Sequence, residues 1–150
     1  MKQWLVIPLL LAISALIAAC GSATAATETP GNAAPVSVSY DTQSNSEKAV
    51  TVEVTPLNLT DGGTSLDFGV AFDTHSVALD FDPAAISVLR DDQGREYPAI
   101  GWDGDGPGGH HRSGTLRFKV PDYATTSVEV VLKGVAGVPE RVFHWSLMES

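Results

Sequence analysis

From residue 50 onward, apolar and polar side chains alternate with a period of two. Val50, Val52 and Val54 are separated by polar residues, and the same alternation returns from Leu66 to Asp73. Successive side chains of a β-strand point to opposite faces of a sheet, so this period indicates strands with one apolar face turned toward a core. Strand-like patterns of this kind cover Val50–Thr55, Leu66–Asp73, Val77–Phe81, Ile86–Arg90, Tyr97–Trp102, Thr115–Val120, Val128–Lys133 and Arg141–Leu147.

Clusters of turn-forming residues separate these segments. Aspartate, glycine and proline mark the turns at 61–63, 91–94, 103–109, 121–123 and 134–139. No segment shows a convincing helical period. Short strands at regular spacing predict an all-β fold, a single antiparallel, immunoglobulin-like β-sandwich of about 7–8 strands across residues 36–150.

One shift in the alternation predicts a local irregularity. Up to Phe72 the inward positions carry even numbers, whereas the apolar residues of Val77–Phe81 carry odd numbers. We therefore predict a bulge or a tight turn within residues 73–76. The last strand alternates regularly, which turns His144 away from the core.

The first 19 residues have the layout of a secretory signal peptide. Lys2 is followed by an uncharged, largely apolar run from Trp4 to Ala19, and small residues stand at its end. This run of 16 residues is shorter than the roughly 20 that a membrane-spanning helix needs. We therefore expect an exported protein whose signal peptide is residues 1–19.

Cys20 is the only cysteine, and it directly follows Ile17, Ala18 and Ala19. This arrangement resembles the lipobox of bacterial lipoproteins, with isoleucine in place of the commoner leucine. The resemblance implies that the thiol of Cys20 is acylated and that the mature chain begins there. Residues 20–35 would then be the lipidated cysteine and a flexible tether, since they are small, polar and punctuated by Pro and Gly. The alternative is a plain secretory signal that ends in a free thiol.

Charge and cysteine content exclude several classes of partner and site. The chain carries 9 basic and 18 acidic side chains, so repulsion disfavours nucleic acid as a partner. A single cysteine excludes an internal disulfide and any CxxC metal or redox site. We expect a protein of the cell envelope that contacts the membrane through a lipid anchor on Cys20.

A glycine-rich segment, residues 102–114, contains two of the four histidines, His110 and His111. Imidazole is a common ligand of copper and zinc. We predict a copper or zinc site built from His75, His110 and His111, with Asp73 and His144 as candidate further ligands. Adjacent histidines on a strand point in opposite directions, so the alternative is a loop in which they are structural or solvated.

Calcium fits this segment less well. Asp103 and Asp105 alternate with glycine, but an EF-hand loop would need oxygen ligands where Pro107 and Gly114 stand. Ser76 and Ser113 lie near histidines, yet no Gly-x-Ser-x-Gly elbow is present. We therefore expect a binding protein and not an enzyme.

A metal-free alternative is an interaction or adhesion module of the envelope that binds a protein or a glycan. It would use a sandwich edge or Trp102, whose ring borders the glycine-rich segment. If Trp102 and Trp145 instead fill the core, as large aromatic residues commonly do, the ring of Trp102 is not available to contact a partner.

Two further resemblances bear on the folded region. The stretches Phe72–Asp80 and Gly108–Phe118, together with Trp102, resemble a pattern in uncharacterised exported bacterial domains of about this size. The resemblance covers about Val50 to Leu147 and implies a shared fold and a site at His75, His110 and His111, but no particular reaction. Leu79–Val88 is similar to the strand-turn-strand segment of cohesin-type adhesion modules.

Overall fold

Within the part of the chain that the structure describes there are eight antiparallel strands, and all but the first form where alternating side chains can bury one face. The computed structural model describes residues 40–59, 63–122 and 124–147. Its strands are β1 (Gln43–Glu47), β2 (Val50–Pro56), β3 (Ser65–Thr74), β4 (Ser87–Asp91), β5 (Glu96–Gly104), β6 (His111–Lys119), β7 (Ser127–Lys133) and β8 (Glu140–Ser146). A short 3-10 turn, Val135–Gly137, precedes β8.

The strands are ordered β1-β2-β3-β6-β5-β4-β7-β8. The chain crosses from one sheet to the other between β3 and β4 and again between β6 and β7, and its other connections join neighbouring strands. The sets β2-β3-β6-β5 and β4-β7-β8 reproduce the order of a constant-type immunoglobulin domain, with β1 added at one edge. The prediction of an all-β, immunoglobulin-like sandwich is confirmed.

Strand β5 joins the two sheets into one continuous sheet. Its first residues, from Glu96 to Pro98, pair with β4, whereas Ala99 to Gly104 pair with β6. The register shifts between Ala99 and Gly101, which is how a strand bends from one packed sheet into another.

On the opposite side, the edge strands β1 and β8 are joined by side chains. The amide of Gln43 donates to the backbone carbonyl of His144 and accepts from the backbone N–H of the same residue. The indole of Trp145 donates to the carbonyl of Asp41 at 3.0 Å. The sheet is therefore nearly closed, and little of the edge of β8 remains free to pair with another chain.

The core lies between the two sheets. Phe68 of β3 packs against Phe118 of β6 and against Trp145 of β8, with ring centroids 5.8 and 5.4 Å apart. Trp145 is 4% exposed, so it fills the core, in agreement with the interpretation of this residue as a core aromatic. His144, its neighbour on β8, points outward as predicted.

One strand assignment from the sequence is wrong, and one observed strand has no counterpart among the predicted ones. Val77–Phe81 forms no strand, because β3 ends at Thr74 and the chain then turns. The tight turn predicted within residues 73–76 is confirmed, and the hydroxyl of Thr74 accepts the backbone N–H groups of Ser76 and Val77 at 3.3 and 3.1 Å. The polar strand β1 carries no apolar alternation and was not predicted.

The predicted signal peptide (1–19), the lipidated Cys20 and the tether (20–35) lie outside the described residues. Within the described ranges, no helix is long and apolar enough to span a bilayer.

Candidate functional site

Asp73 and His111 face each other across the ladder between β3 and β6. Asp73 is the penultimate residue of β3, and His111 is the first residue of β6. The Nδ1 atom of His111 is hydrogen-bonded to a carboxylate oxygen of Asp73. An ionised carboxylate only accepts, so Nδ1 carries the proton and the neutral ring keeps its lone pair on Nε2. The side chain of His111 is 71% exposed, which leaves Nε2 accessible.

Thr74 positions the next residue, His75. It is buried, and its hydroxyl donates to the carbonyl of Ala49 at 2.8 Å while it caps the turn that ends β3. Its backbone N–H donates to the carbonyl of His110 at 2.9 Å. These bonds hold the end of β3 against the start of β6. The rings of His75 and His111 consequently lie with centroids 6.3 Å apart and nearly perpendicular, at 83°.

The other two predicted ligands are placed differently. His110 adjoins His111, and its side chain is exposed. His144 lies on β8, where Nδ1 is 3.6 Å from a carboxylate oxygen of Glu129 on β7. The structure therefore brings together Asp73, His75 and His111, with His110 next in sequence and His144 on the other sheet. Among the described residues, no group of three or more His, Cys, Asp or Glu is arranged to hold a metal ion.

A cleft of about 360 Å³ adjoins His75. One wall is the β1–β2 hairpin, whose turn residues Lys48 and Ala49 have positive φ angles of 48° and 63°. The other wall is the end of β3, and Asp73 and His75 lie at the cleft.

A second cleft, of about 290 Å³, lies beside Trp102 and is called here the Trp102 cleft. Trp102 is partly buried and packs against the core through Phe72, with ring centroids 6.3 Å apart. Its indole N–H donates to the carbonyl of Asp105 at 3.0 Å. The residues that line the cleft are Asp80, Phe81, Asp82, Trp102, Gly104, Asp105, Gly106, Pro107 and Arg112.

A pair of glycines allows the ring of Trp102 to lie close to the backbone. Gly104 and Gly114 face each other in the β5–β6 ladder. A Cβ atom on Gly104 would lie 2.8 Å from Cζ2 of Trp102 and 2.4 Å from Cα of Gly114. Both positions consequently require glycine, and the ring of Trp102 contributes partly to the core and partly to the cleft.

Arg112 is the charged residue of this region that sequence reasoning missed. It is 4% exposed, and its Nε donates to the carbonyl of Asp105 at 3.0 Å. Its Nη1 donates to the carbonyls of Leu79 and Phe81. The guanidinium carbon lies 5.7 Å from the ring centroids of both Phe81 and Trp102, a cation–π distance. The alternation of β6 contained the signal, because Arg112 shares the inward phase of Leu116 and Phe118.

The two carboxylates of the glycine-rich segment are placed differently. Asp105 accepts from the backbone N–H and the hydroxyl of Ser113, at 2.8 and 3.2 Å. Asp103 is exposed on β5 and does not line the Trp102 cleft.

The fold defines an all-β protein with the strand order of a constant-type immunoglobulin domain. It carries an exposed histidine–carboxylate cluster and a cleft with a buried arginine. Comparisons with protein-family models, curated proteins and solved structures found no match to this chain.

Proposed function

We propose that this chain is a lipid-anchored, exported binding protein of the cell envelope that binds copper or zinc through His75 and His111. Asp73 orients His111 in this proposal, and His110 is the candidate third ligand. His144 is left out, because it lies on β8 beside Glu129.

The observation that carries the proposal is the hydrogen bond between Asp73 and Nδ1 of His111. Histidines that bind metals commonly donate their second ring N–H to a carboxylate, which fixes the tautomer and raises the basicity of the ligating nitrogen. Asp73 supplies that carboxylate and presents Nε2 of His111 to solvent. Copper and zinc both accept neutral imidazole as a ligand.

The spacing of the rings supports a shared ion. When each nitrogen lies about 2.1 Å from a metal ion, the centroids of two ligating imidazoles are separated by roughly 5 Å at a tetrahedral angle and by roughly 6.5 Å when the two rings lie on opposite sides of the ion. The observed separation between His75 and His111 is 6.3 Å, and a rotation of these two exposed side chains would bring the rings to the tetrahedral spacing. Two exposed imidazoles, completed by water or by His110, would give an exchangeable site, which suits a protein that captures a metal and passes it on.

The sequence supports the export and anchoring part of the proposal. Lys2, the apolar run that follows it and Cys20 after Ala19 form the lipobox-like pattern. Lipid chains on Cys20 would hold the protein at the membrane, since each buried methylene contributes about 0.8 kcal/mol. Labelling with radioactive palmitate in a bacterial host tests this part, and we expect the label to disappear in Cys20→Ser. Equal labelling of the variant would contradict the anchor.

Calorimetric titration with copper(II), zinc and calcium chloride at neutral pH tests the metal part. The protein used begins at Gly21, which retains all eight strands and all four histidines. We expect one copper or zinc ion per chain and no response to calcium. His75→Ala and His111→Ala should each weaken binding by about tenfold or more, because only two imidazoles are close together.

His144→Ala is the matched control, since it removes an exposed histidine from β8 and should leave the isotherm unchanged. His110→Ala decides whether a third imidazole takes part. If copper and zinc give no saturable heat, or if His75→Ala and His111→Ala bind like the control, the metal proposal is wrong. The remaining candidate is then the metal-free envelope interaction or adhesion module that binds a protein or a glycan.

A further inference from the structure

The Trp102 cleft is lined by a buried cation, Arg112, that forms no ion pair with any described carboxylate. All three hydrogen-bond acceptors of Arg112 are backbone carbonyls, and they engage only Nε and Nη1. Across the described ranges, Nη2 has no hydrogen-bond partner and no carboxylate forms an ion pair with Arg112. Buried charges are ordinarily paired, because their loss of hydration is costly. Nη2 is not among the partnerless atoms that are sealed from solvent, so it keeps some solvent exposure, and Arg112 is one of the residues that line the cleft.

The same cleft contains an unengaged hydrogen-bond acceptor. Asp80 is exposed, lines the same cleft and makes no hydrogen bond with any described residue. The other carboxylates of the cleft are already engaged, since Asp82 accepts the backbone N–H of Ala84 at 2.9 Å and Asp105 accepts from Ser113. The cleft thus combines a free donor, a free acceptor and the half-buried ring of Trp102.

These groups select against strongly charged ligands. An anion would meet the carboxylates of Asp80, Asp82 and Asp105. A cation would be repelled by the guanidinium of Arg112, and two of the three carboxylates, those of Asp82 and Asp105, are already hydrogen-bonded within the fold. A neutral ligand with an apolar face and several hydroxyl groups avoids both conflicts. Its hydroxyls can accept from a guanidinium and donate to a carboxylate, and its C–H face can pack on an aromatic ring.

We propose that the Trp102 cleft binds a neutral saccharide, with the ring of Trp102 as the packing surface, Nη2 of Arg112 as a hydroxyl-binding donor and Asp80 as the acceptor. The cleft volume of about 290 Å³ is at the small end of the range for ligand sites, about 300–1,000 Å³, so it accommodates a short segment of a glycan chain. The site is separate from His75 and His111, and the two proposals can fail independently.

Titration calorimetry of the same protein with maltotetraose, cellotetraose and chitotetraose tests the inference. We expect saturable binding of at least one of these probes and a change in Trp fluorescence on binding. Asp80→Asn and Trp102→Leu should weaken the affinity by about tenfold or more. Asp103→Asn is the matched control, because it removes the same charge from a neighbouring exposed position outside the cleft and should change affinity by less than about twofold.

Trp102→Leu also reduces packing against Phe72, so its fold is checked by circular dichroism, and Asp80→Asn, an exposed position, tests the cleft without that complication. His75→Ala should bind the saccharide like the parent. The inference is overturned if none of the three probes shows saturable binding up to about 10 mM, or if Asp80→Asn binds with the same affinity as Asp103→Asn.

Discussion

Replacement of Arg141 by methionine should destabilise the sandwich substantially. Arg141 lies in β8 and is 1% exposed. Its guanidinium forms hydrogen bonds with residues on both sides of the turn between β1 and β2. Nη1 donates to the carbonyls of Asn45 and Val50 and to the side-chain oxygen of Asn45, and Nη2 donates to the carbonyl of Glu47. Burial lowers the pKa of the guanidinium below its ordinary value, an effect that the charge of Glu47 partly opposes.

The expected magnitude is a difference between two large contributions. Nη1 has two hydrogens for its three acceptors, so with the bond from Nη2 the guanidinium makes three full hydrogen bonds. A hydrogen bond to a charged group contributes about 1.5–3 kcal/mol, so these bonds together contribute about 4.5–9 kcal/mol. Burial of the guanidinium costs several kcal/mol. Methionine retains the apolar stem and leaves little cavity, but the carbonyl of Val50, a buried residue, loses its Arg141 partner. We therefore expect the free energy of unfolding to fall by about 2–4 kcal/mol in Arg141→Met.

Urea unfolding followed by Trp fluorescence measures this change, since Trp145 lies on the same strand and its indole donates to the segment that precedes β1. For a domain of this size the expected loss lowers the melting temperature by roughly 8–16 °C. Arg117→Met is the control, because Arg117 is exposed and bonds only Asp67 across the ladder, and it should cost less than about 1 kcal/mol. A loss below about 1 kcal/mol in Arg141→Met, or a gain, would refute the reasoning, because desolvation would then cancel the bonds.

Two further perturbations test the fold around the sites. Burial of Asp91 opposes its ionisation, but hydrogen bonds from Arg95, Gln93 and Tyr97 outweigh that effect and lower the pKa of the carboxyl to about 2 from an ordinary 3.8. The ionised carboxylate of Asp91 therefore stabilises the folded state above pH 3.8, and this contribution is lost as the pH falls toward 2. Urea unfolding across this range should show the difference in stability between the parent and Asp91→Asn shrinking as the pH falls, and a constant difference would contradict the assignment. Gly104→Ala would place Cβ 2.4 Å from the facing backbone, and thermal unfolding should show the free energy of unfolding lowered by about 1–3 kcal/mol. Gly101→Ala on the same strand is the control, because a Cβ there meets open space. Equal effects of the two substitutions would contradict the close approach at Gly104.

Most of the fold follows from the period of two, and the exceptions have physical causes. Seven of the eight segments expected from the sequence contain strands. Val77–Phe81 alternates like a strand, and Leu79 is fully buried. The carbonyl of Leu79, however, accepts hydrogen bonds from the backbone N–H of Gly108 and from Nη1 of Arg112, and not from a neighbouring strand. Burial of alternate side chains therefore does not require a ladder when loop and side-chain donors satisfy the backbone. Strand β1 shows the converse, since a polar edge strand pairs with β2 without an apolar face of its own.

The candidate sites were less predictable, because they depend on register. The sequence predicts one metal site that includes Asp73 and His111, but nothing in it predicts that the two residues face each other across β3 and β6. Their contact needs both the ladder and the turn that Thr74 caps. The alternation of β6 places Arg112 at an inward position, so its burial could be predicted from the sequence. Its hydrogen bonds to the carbonyls of Leu79 and Phe81 could be identified only in the three-dimensional structure.

The two buried arginines show how the same residue serves structure in one place and binding in another. Arg141 and Arg112 both lack a carboxylate partner within the described part of the chain, and both bind backbone carbonyls. In Arg141 the atom without a partner is Nε, which is sealed from solvent, so no ligand can reach it and the residue acts only as a clamp on the β1–β2 turn. In Arg112 the atom without a partner among the described residues is Nη2, and Arg112 lines the open cleft beside Trp102. A substitution at Arg141 should consequently change the free energy of unfolding. The role of Nη2 of Arg112, in contrast, should be detected through the binding of a saccharide.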